Sequence, residues 1–274
     1  MIDGHIAILG AGNMGRALIA GLLRSGAEPA QLRAGESLPA AREALVRELG
    51  VRATADNLAA ITGASVVVLA VKPQEAAAVL KPLAETLAQA RPLVISVAAG
   101  VRIAALQSWC GSGVPVVRAM PNRPALLGAG ATGLYAPPQV GAAQRLAAEA
   151  VLRAVGEIAW VPTEDALDVV TALSGSGPAY FFLLAEHMAE AGRELGLEPG
   201  TARRLAAATL YGAGLLAHSS DADFARLRSA VTSAGGTTEA ALRALEAANL
   251  AAAVRQALGA AARRSRELAA GAGP

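Results

Sequence analysis

Residues 5–15, HIAILGAGNMG, join a short apolar run to a glycine-rich turn. Residues 5–10 predict a β-strand and residues 13–25 predict a helix. Between them, Gly10, Gly12 and Gly15 form the pattern G-x-G-x-x-G. At a strand-to-helix turn these glycines permit a tight turn, let the backbone approach a pyrophosphate and let the helix pack close to the strand. The placement predicts a dinucleotide-binding loop, with a chance glycine cluster as the alternative in a chain with 29 Gly.

Working outward from this turn, short apolar runs rich in Val and Ile alternate with helical stretches as far as about residue 162. The further predicted strands are residues 32–35, 51–53, 65–71, 93–97, 114–120, 131–135 and 157–161. The further predicted helices are residues 40–49 and 74–88. Continuous apolar strands separated by helices are typical of a parallel sheet covered on both faces. We therefore predict an α/β, doubly wound, Rossmann-like dinucleotide-binding domain over residues 1–162.

The pattern changes after Pro162, where long stretches are rich in Ala and Leu and contain no internal Pro. Residues 178–195, 201–218 and 237–268 predict helices, because they combine strong helix formers with lengths that strands do not reach. We predict an all-α domain over residues 163–274. Its helices are so apolar that we expect them to be buried against another copy of the chain, which makes this a dimerisation domain.

Composition narrows the classes of function. The 274 residues carry a net charge of +2, with 54% hydrophobic and 3% aromatic residues. Without a basic tract or aromatic platforms, nucleic acid is a poor partner. The apolar run at residues 58–71 is too short to cross a membrane. A single Cys110, three His and no recognisable leader predict no disulfide framework, no metal site and a cytoplasmic location.

Three more segments of the first domain are candidates for binding the dinucleotide. Glu36 lies 21 positions after Gly15, where an acidic residue holds the adenosine ribose hydroxyls. Lys72 with Pro73, and the small residues 98–100, each directly follow a predicted strand. Ligands of open α/β sheets bind beyond the carboxyl ends of strands, and small residues there let a flat ring lie against the backbone. Each segment taken alone could also be a plain turn.

Two segments of the second domain are unusual for helix connections. Residues 173–178, LSGSGP, predict a flexible loop that bears hydroxyl groups, and residues 231–238, VTSAGGTT, precede the last long helix. Gly-Gly followed by Thr-Thr at a helix start offers free backbone N–H groups and two hydroxyls, which suits a carboxylate. The alternative is simple capping by Gly236 or Thr237. Because no acid–base pair or nucleophile stands out, we expect the chemistry to come from the cofactor, as hydride transfer.

These motifs, in this order and over nearly the whole chain, resemble pyrroline-5-carboxylate reductase, the last enzyme of proline synthesis. The segments that carry the resemblance are residues 9–15, 70–73, 97–100, 118–122, 173–180 and 231–238. The SGSGPAY and TSAGGTT blocks are far more specific than the nucleotide fingerprint. The resemblance implies NAD(P)H-dependent reduction of 1-pyrroline-5-carboxylate to L-proline.

The resemblance also implies roles for individual residues. The cofactor would be lined by Leu9, Gly10, Ala11, Gly12, Asn13, Met14, Asn57, Ala70, Val71, Lys72, Pro73, Ala98, Ala99 and Gly100. The substrate would be held by Ser233, Gly236, Thr237 and Thr238, and the hydroxyl of Thr238 would hydrogen-bond the ring nitrogen. The family's helical domain forms an intertwined dimer, so that a site combines two chains, and dimers often assemble into a decamer.

Two departures from the family and two alternative functions remain at this stage. Ala234 stands where Pro is common, which leaves the anion loop less rigid. Glu36 stands where members that use NADPH often have Ser or Thr, and it therefore favours NADH. A reductase of another cyclic imino acid, or a dinucleotide-binding oligomer without catalysis, would share most of these features. An intact substrate loop argues against the second alternative, since binding NADH alone does not require it.

Overall fold

The computed structural model describes residues 4–271, and its sheet has eight strands. The strands are β1 His5–Leu9, β2 Leu32–Gly35, β3 Arg52–Thr54, β4 Ala64–Leu69, β5 Leu93–Ser96, β6 Val116–Met120, β7 Gly130–Tyr135 and β8 Gly156–Trp160. Their order across the sheet is β3-β2-β1-β4-β5-β6-β7-β8. This order places β1 beside β4 at the centre, where the chain switches from one half of the sheet to the other.

Every neighbouring pair in the sheet is parallel except β6 and β7, which are antiparallel. The prediction of a wholly parallel sheet is therefore wrong at this pair. The cause is the connection, residues 121–129, which holds only a short 3-10 helix, Arg123–Leu127, that begins beside Pro124. A parallel crossover needs about a dozen or more residues, so the chain turns back instead.

Thirteen α-helical segments lie within the described residues. They are α1 Asn13–Arg24, α2 Pro39–Leu49, α3 Asn57–Ile61, α4 Ala76–Leu80, α5 Ala84–Ala90, α6 Ile103–Cys110, α7 Ala142–Arg153, α8 Ala166–Val170, α9 Gly177–Glu194, α10 Pro199–His218, α11 Phe224–Ala230, α12 Thr237–Ala247 and α13 Leu250–Gly271. Short 3-10 turns at Pro73–Glu75 and Lys81–Leu83 split the helix predicted at residues 74–88 into α4 and α5. The second turn contains Pro82, which cannot donate a helical hydrogen bond.

The last predicted helix, residues 237–268, is two helices in the structure. The chain leaves helical geometry at Ala248, and Asn249 adopts a positive φ of 57° before α13 begins. Asn is among the few residues other than Gly that enter this left-handed region readily. Its short polar side chain gives too weak a signal, within a run of Ala and Leu, for the break to be predicted.

The central strands bury both of their faces. Ile6 and Ile8 of β1 belong to one core cluster, whereas Ala7 and Leu9 belong to the cluster on the opposite face. Side chains of a strand alternate between faces, so two clusters along one strand mean that helices cover the sheet on both sides. The predicted doubly wound arrangement is confirmed, apart from the reversal at β7.

The chain forms two compact units. One runs to Ser176 and is completed by the C-terminal segment that begins at Ala261, and the other is Gly177–Ala260. The division differs from the boundary predicted after residue 162, because α8 and the turn that follows it stay with the sheet. Within the first unit, the Ser265 hydroxyl donates to the Asp168 carboxylate over 2.7 Å and ties the end of α13 to α8.

The second unit holds α9, α10, α11, α12 and the first part of α13, and α9 packs against α10. Large apolar side chains on α9 are uncovered in the single chain, with Phe181 58% and Phe182 62% exposed. Within the helical stretch Ala166–Glu194, an 18-residue segment has a mean hydropathy of 1.3 and is 22% buried, so by length and composition the stretch could cross a membrane. A helix whose apolar face is covered by a second copy of the chain has the same composition.

Candidate functional site

The glycine loop after β1 has the geometry that its pattern predicts. Gly10 has a φ of +90°, and a Cβ there would lie 2.8 Å from the carbonyl oxygen of Ala70. A Cβ on Gly15 would lie 2.0 Å from the Gly10 carbonyl oxygen, so only glycine lets α1 start this close to the loop. By contrast, Gly12 is exposed and has nothing within 4 Å of its Cβ position. The loop therefore presents open backbone at Gly12, with Asn13 exposed and Met14 half-buried beside it.

The three loops predicted to line the cofactor leave the sheet side by side. Leu9, the buried last residue of β1, pairs with Leu69 of β4, and Leu69 pairs with Ser96 of β5. Hydrogen bonds continue past the strand ends, from the Ala70 N–H to the Leu9 carbonyl over 2.8 Å and from the Val97 N–H to the Leu69 carbonyl over 3.1 Å. The structure therefore brings three sets of predicted residues to one sheet edge: Gly10, Ala11, Gly12, Asn13 and Met14; Ala70, Val71, Lys72 and Pro73; Ala98, Ala99 and Gly100.

Glu36 is bound to the glycine loop as well as to its own turn. Its Oε2 accepts a hydrogen bond from the Ala11 N–H over 2.9 Å, and its Oε1 accepts one from the Leu38 N–H over 2.9 Å. Asn57, at the start of α3, lies against the end of β2, since its Oδ1 is 2.2 Å from where a Cβ on Gly35 would be. Both predicted residues therefore lie beside the first turn of the dinucleotide loop.

A cavity of about 890 Å³ opens beside the loops after β4 and β5. Pro73, Ala99, Gly100 and Trp109 line one part of it, and residues of the C-terminal segment between Ala261 and Leu268 line another. The backbone of Ala269 approaches Gly100, whose Cβ position lies 3.6 Å from the Ala269 nitrogen. No pattern in the sequence predicted that the end of the chain returns to this loop.

A cluster of charged side chains lies directly behind the loop after β5. Arg102 donates to Asp165 over 2.5 Å and to Asp168 over 2.9 Å, while Arg118 donates to Glu164 over 3.1 Å. Glu164 also accepts from the Ile103 N–H over 2.8 Å, at the start of α6. The Asp168 side chain is fully buried. No sequence pattern predicted this cluster, because its members are up to 66 residues apart and obey no common spacing.

The pKa values of the two arginines in this cluster are shifted in opposite directions. Partial burial lowers the pKa of Arg102, but the hydrogen bond to Asp165 and the charges of Asp168 and Glu164 outweigh it, so that the pKa is raised overall. Deeper burial lowers the pKa of Arg118, and the attraction of Glu164 offsets this only in part. Both guanidiniums remain charged at neutral pH, because the ordinary pKa of arginine is so high.

The SGSGP segment is not the flexible loop that the sequence predicts. Thr171–Gly175 forms a π-helical turn that joins α8 to the following helical residues. Asn122 donates to the Ser174 carbonyl over 3.0 Å, and a Cβ on Gly175 would lie 2.9 Å from the Met120 methyl group. The glycine therefore allows this turn to approach the end of β6, and π-turns of this kind occur frequently at functional sites.

The predicted substrate residues lie together in the second unit, at the start of α12. Gly236 is the N-cap and makes no side-chain capping bond, and Thr237 and Thr238 are the first two helical residues. A Cβ on Gly236 would lie 2.4 Å from the Ser233 hydroxyl oxygen, so a larger residue here would push this hydroxyl aside. Among the described residues, no hydrogen-bond partner is found for the hydroxyls of Thr237 and Thr238. Of the two capping alternatives, Thr237 as N-cap is wrong, whereas Gly236 as N-cap is the arrangement that the structure has.

Glu239, in the first turn of α12, stabilises this helix start through hydrogen bonds. Its carboxylate accepts a hydrogen bond from the Gly235 N–H over 2.6 Å and pairs with Arg243 one turn along. The Arg243 hydrogen bond, followed by that of Gly235, lowers the pKa of Glu239. Gly235 has a φ of +68°, so the loop turns into the helix through a conformation that glycine adopts freely. Sequence reasoning missed Glu239, although a Glu in the first turn is a familiar helix-start signal.

Known proteins with related sequences account for both units. A family profile described as pyrroline-5-carboxylate reductase dimerisation matches residues 164–268, and one described as NADP oxidoreductase, coenzyme F420-dependent, matches residues 5–100. The pyrroline-5-carboxylate reductase of Pseudomonas aeruginosa is 48% identical over 265 residues, which cover 97% of each chain. This chain belongs to the pyrroline-5-carboxylate reductase family.

Solved structures of pyrroline-5-carboxylate reductases share the fold. That of Coxiella burnetii is 41% identical and superposes with a TM-score of 0.94 over 97% of this chain and 98% of its own. That of Plasmodium falciparum, solved with NADP bound, is 27% identical with a TM-score of 0.82 over 98% of this chain and 99% of its own. The predicted fold, a Rossmann-like domain followed by an all-α dimerisation domain, is confirmed.

Proposed function

We propose that this chain catalyses the NAD(P)H-dependent reduction of 1-pyrroline-5-carboxylate to L-proline, the last step of proline synthesis. The observation that carries the proposal is the start of α12, where the hydroxyls of Thr237 and Thr238 have no hydrogen-bond partner among the described residues. The Gly-Gly turn before them is held in place, because the Gly235 N–H donates to Glu239 and the Gly236 N–H donates to the Ser233 carbonyl. Full-length identity of 48% to a reductase of this name supports it. A dinucleotide-binding oligomer without catalysis does not need this helix start.

The first unit supplies the cofactor site. Bound NAD(P)H supplies the hydride that reduces the imine carbon. The open backbone at Gly12 and the N-terminus of α1 receive the pyrophosphate, because helix N–H groups there face the anion. Ala98, Ala99 and Gly100 offer a surface of small side chains against which the nicotinamide ring lies. The cavity beside Ala99 and Gly100 leaves room for a small cyclic substrate.

The second unit supplies the substrate site. The substrate carboxylate binds the backbone N–H groups of Thr237 and Thr238, with Gly236 and the Ser233 hydroxyl beside them; the Gly236 N–H itself donates to the Ser233 carbonyl. The Thr238 hydroxyl hydrogen-bonds the ring nitrogen, which carries a proton in the reactive iminium form and keeps it in the proline product. Orienting this nitrogen directs the imine carbon toward the incoming hydride. Each complete site combines the cofactor loops of one chain with the substrate loop of a second copy.

Glu36 sets the choice of cofactor in favour of NADH. Its carboxylate is held at the end of β2, where it can accept hydrogen bonds from the adenosine ribose diol. In NADPH one of these hydroxyls carries a phosphate, which the carboxylate repels. The enzyme works as a homodimer that can assemble further, up to a decamer, and we place it in the cytoplasm. The exposed apolar side chains of α9 support the homo-oligomer.

One assay tests the proposed reaction. Purified protein is given pyrroline-5-carboxylate with NADH and separately with NADPH, the loss of cofactor absorbance is followed, and proline is identified in the product. We expect turnover with this imine and a lower kcat/KM with the six-membered analogue. A protein that binds cofactor but reduces only the six-membered ring would instead be a reductase of another cyclic imino acid.

A further inference from the structure

The loop predicted to lie against the nicotinamide, residues 98–100, is followed two residues on by Arg102, whose side chain has two hydrogen-bond partners. Arg102 is the N-cap of α6, and its guanidinium donates to Asp165 over 2.5 Å and to Asp168 over 2.9 Å. The next residue, Ile103, donates its N–H to Glu164. All three acceptors lie at or just before α8. The chain directly after the loop is therefore fixed to the α8 segment by three hydrogen bonds.

Asp168 is the buried member of this arrangement. Its side chain is 0% exposed, whereas that of Asp165 is 82% exposed. One oxygen of Asp168 accepts from Arg102, and the other accepts from the Ser265 hydroxyl over 2.7 Å. A buried carboxylate requires such donors, because leaving either oxygen without one carries the full cost of desolvation. Asp168 therefore ties Arg102 to the end of α13.

The end of α13 also contacts the loop itself. Gly100 has a φ of +77°, and its Cβ position lies 3.6 Å from the Ala269 nitrogen, one turn beyond Ser265. Residues 98–100 are therefore followed by Arg102, which is bound to the α8 segment, and are contacted at Gly100 by the backbone of Ala269. The approach of Ala269 depends on where the last helix lies, and Ser265 fixes that helix to Asp168, which is also a partner of Arg102.

We propose that Asp168 and Ser265 are positioning residues for the cofactor, acting through Arg102 to hold residues 98–100 in the conformation that receives the nicotinamide ring. The proposal rests on the proposed function only in taking this loop as the nicotinamide surface. Asp168 is fully buried, and Ser265, which lines the cavity beside the loop, has its hydroxyl engaged with Asp168. Without the hydrogen bond between Ser265 and Asp168, residues 98–100 can move. Cofactor binding is then weaker and the nicotinamide ring is misplaced, whereas the substrate loop in the second unit is unchanged.

The test compares Ser265→Ala with Ser265→Thr, which keeps the hydroxyl. Calorimetric titration with NADH measures cofactor binding directly and needs no turnover. We expect Ser265→Ala to raise the dissociation constant of NADH about tenfold, the scale of one hydrogen bond to a charged group. The KM of NADH should rise with it, the KM of the imine should stay within about twofold, and Ser265→Thr should restore most of the loss.

A matched control separates positioning from general destabilisation. Leu152→Ala empties a buried site on α7, remote in sequence from the loop, and should lower Tm at least as much as Ser265→Ala does. If Ser265→Ala lowers Tm as Leu152→Ala does but leaves the NADH dissociation constant unchanged, Ser265 is merely structural and the proposal is overturned.

Arg102→Lys gives a second measurement should Ser265→Ala fail to fold. It keeps the charge but cannot reach Asp165 and Asp168 together, so we expect it to raise the same dissociation constant. Normal cofactor binding in Arg102→Lys would overturn the proposal. Wild-type protein that binds NADH without reducing the imine would refute the proposed function and leave this test intact.

Discussion

The backbone N–H of Ala11 donates to Oε2 of Glu36 over 2.9 Å, which ties the acidic residue after β2 to the glycine loop after β1. The other oxygen of Glu36 is held by the Leu38 N–H, so the carboxylate has a fixed place rather than a free swing. A fixed carboxylate beside the dinucleotide loop discriminates between a ribose hydroxyl and a ribose phosphate more sharply than a mobile one.

We predict from this geometry that the enzyme prefers NADH and that Glu36→Ser moves the preference toward NADPH. Two unit charges 4 Å apart repel by about 4 kcal/mol at an effective dielectric of about 20, and solvent at this half-exposed position reduces the effect. The measurement is kcat/KM for both cofactors in wild type and variant. A wild-type enzyme that strongly favours NADPH would contradict the prediction.

Arg42 could reverse the preference for NADH by binding the phosphate of NADPH. A variant of Arg42 is therefore a control for the role of Glu36. Its Nη1 donates to the carbonyl oxygens of Glu36 and Ser37 over 2.8 and 2.7 Å, so the guanidinium lies at the same turn. If Arg42 pairs with the phosphate of NADPH, Arg42→Ala lowers kcat/KM for NADPH more than for NADH. If kcat/KM fell equally for NADPH and NADH, Arg42 would only stabilise the turn after β2 and would not bind the phosphate.

Thr238→Ala should lower kcat/KM about ten- to a hundredfold, because the variant loses a hydrogen bond to a charged group worth roughly 1.5–3 kcal/mol. Cofactor affinity should barely change, since Thr238 belongs to the substrate loop. Thr238→Ser keeps the hydroxyl and should retain most of the activity. Wild-type kinetics in the Ala variant would remove Thr238 from the site.

The exposed apolar face of α9 predicts an obligate oligomer. Light scattering at micromolar concentration should give at least the mass of a dimer, and Phe182→Glu should shift the protein toward the monomer and abolish most of the turnover. Glu157→Lys, an exposed charge change on β8, should leave the mass unaltered. A monomer with full activity would refute the site shared between two chains.

Cys110 should resist alkylation in the folded protein. Burial raises the pKa of its thiol to about 11, so the reactive thiolate is scarce at pH 8 and the sulfur is also inaccessible. Iodoacetamide at pH 8 should label the native protein far more slowly than the protein in guanidinium, as measured by intact mass. Labelling at equal rates in both states would contradict the buried position.

Much of the first unit follows from the sequence, because its central strands are buried on both faces and therefore consist of nearly unbroken Val and Ile runs. β2 matches its predicted bounds, and β1, β4 and β5 differ by one or two residues at their ends. The loops after these strands lie together because parallel neighbours end at one edge. The roles of these loops in binding the cofactor stay predictions.

The features that the sequence did not predict depend on distant partners or on weak local signals. The reversal at β7 follows from the length of a connection, which carries no periodic pattern. The break between α12 and α13 is caused by a single residue, Asn249. Arg102, Asp168 and Ser265 come from three separate segments of the chain and contact one another only in the folded structure. Burial of a carboxylate beside an arginine is a product of the tertiary fold, so neither residue type nor spacing reveals it.

The hydrogen bond between Asp168 and Ser265 also has a consequence for folding during translation. Asp168 leaves the ribosome 97 residues before Ser265, so its carboxylate has to await the hydroxyl that it binds in the folded chain. The nucleotide-binding unit therefore cannot reach its final packing as a nascent N-terminal fragment. A chain that stops before Ser265 lacks this hydrogen bond behind the loop after β5, so its nucleotide-binding unit stays incompletely packed.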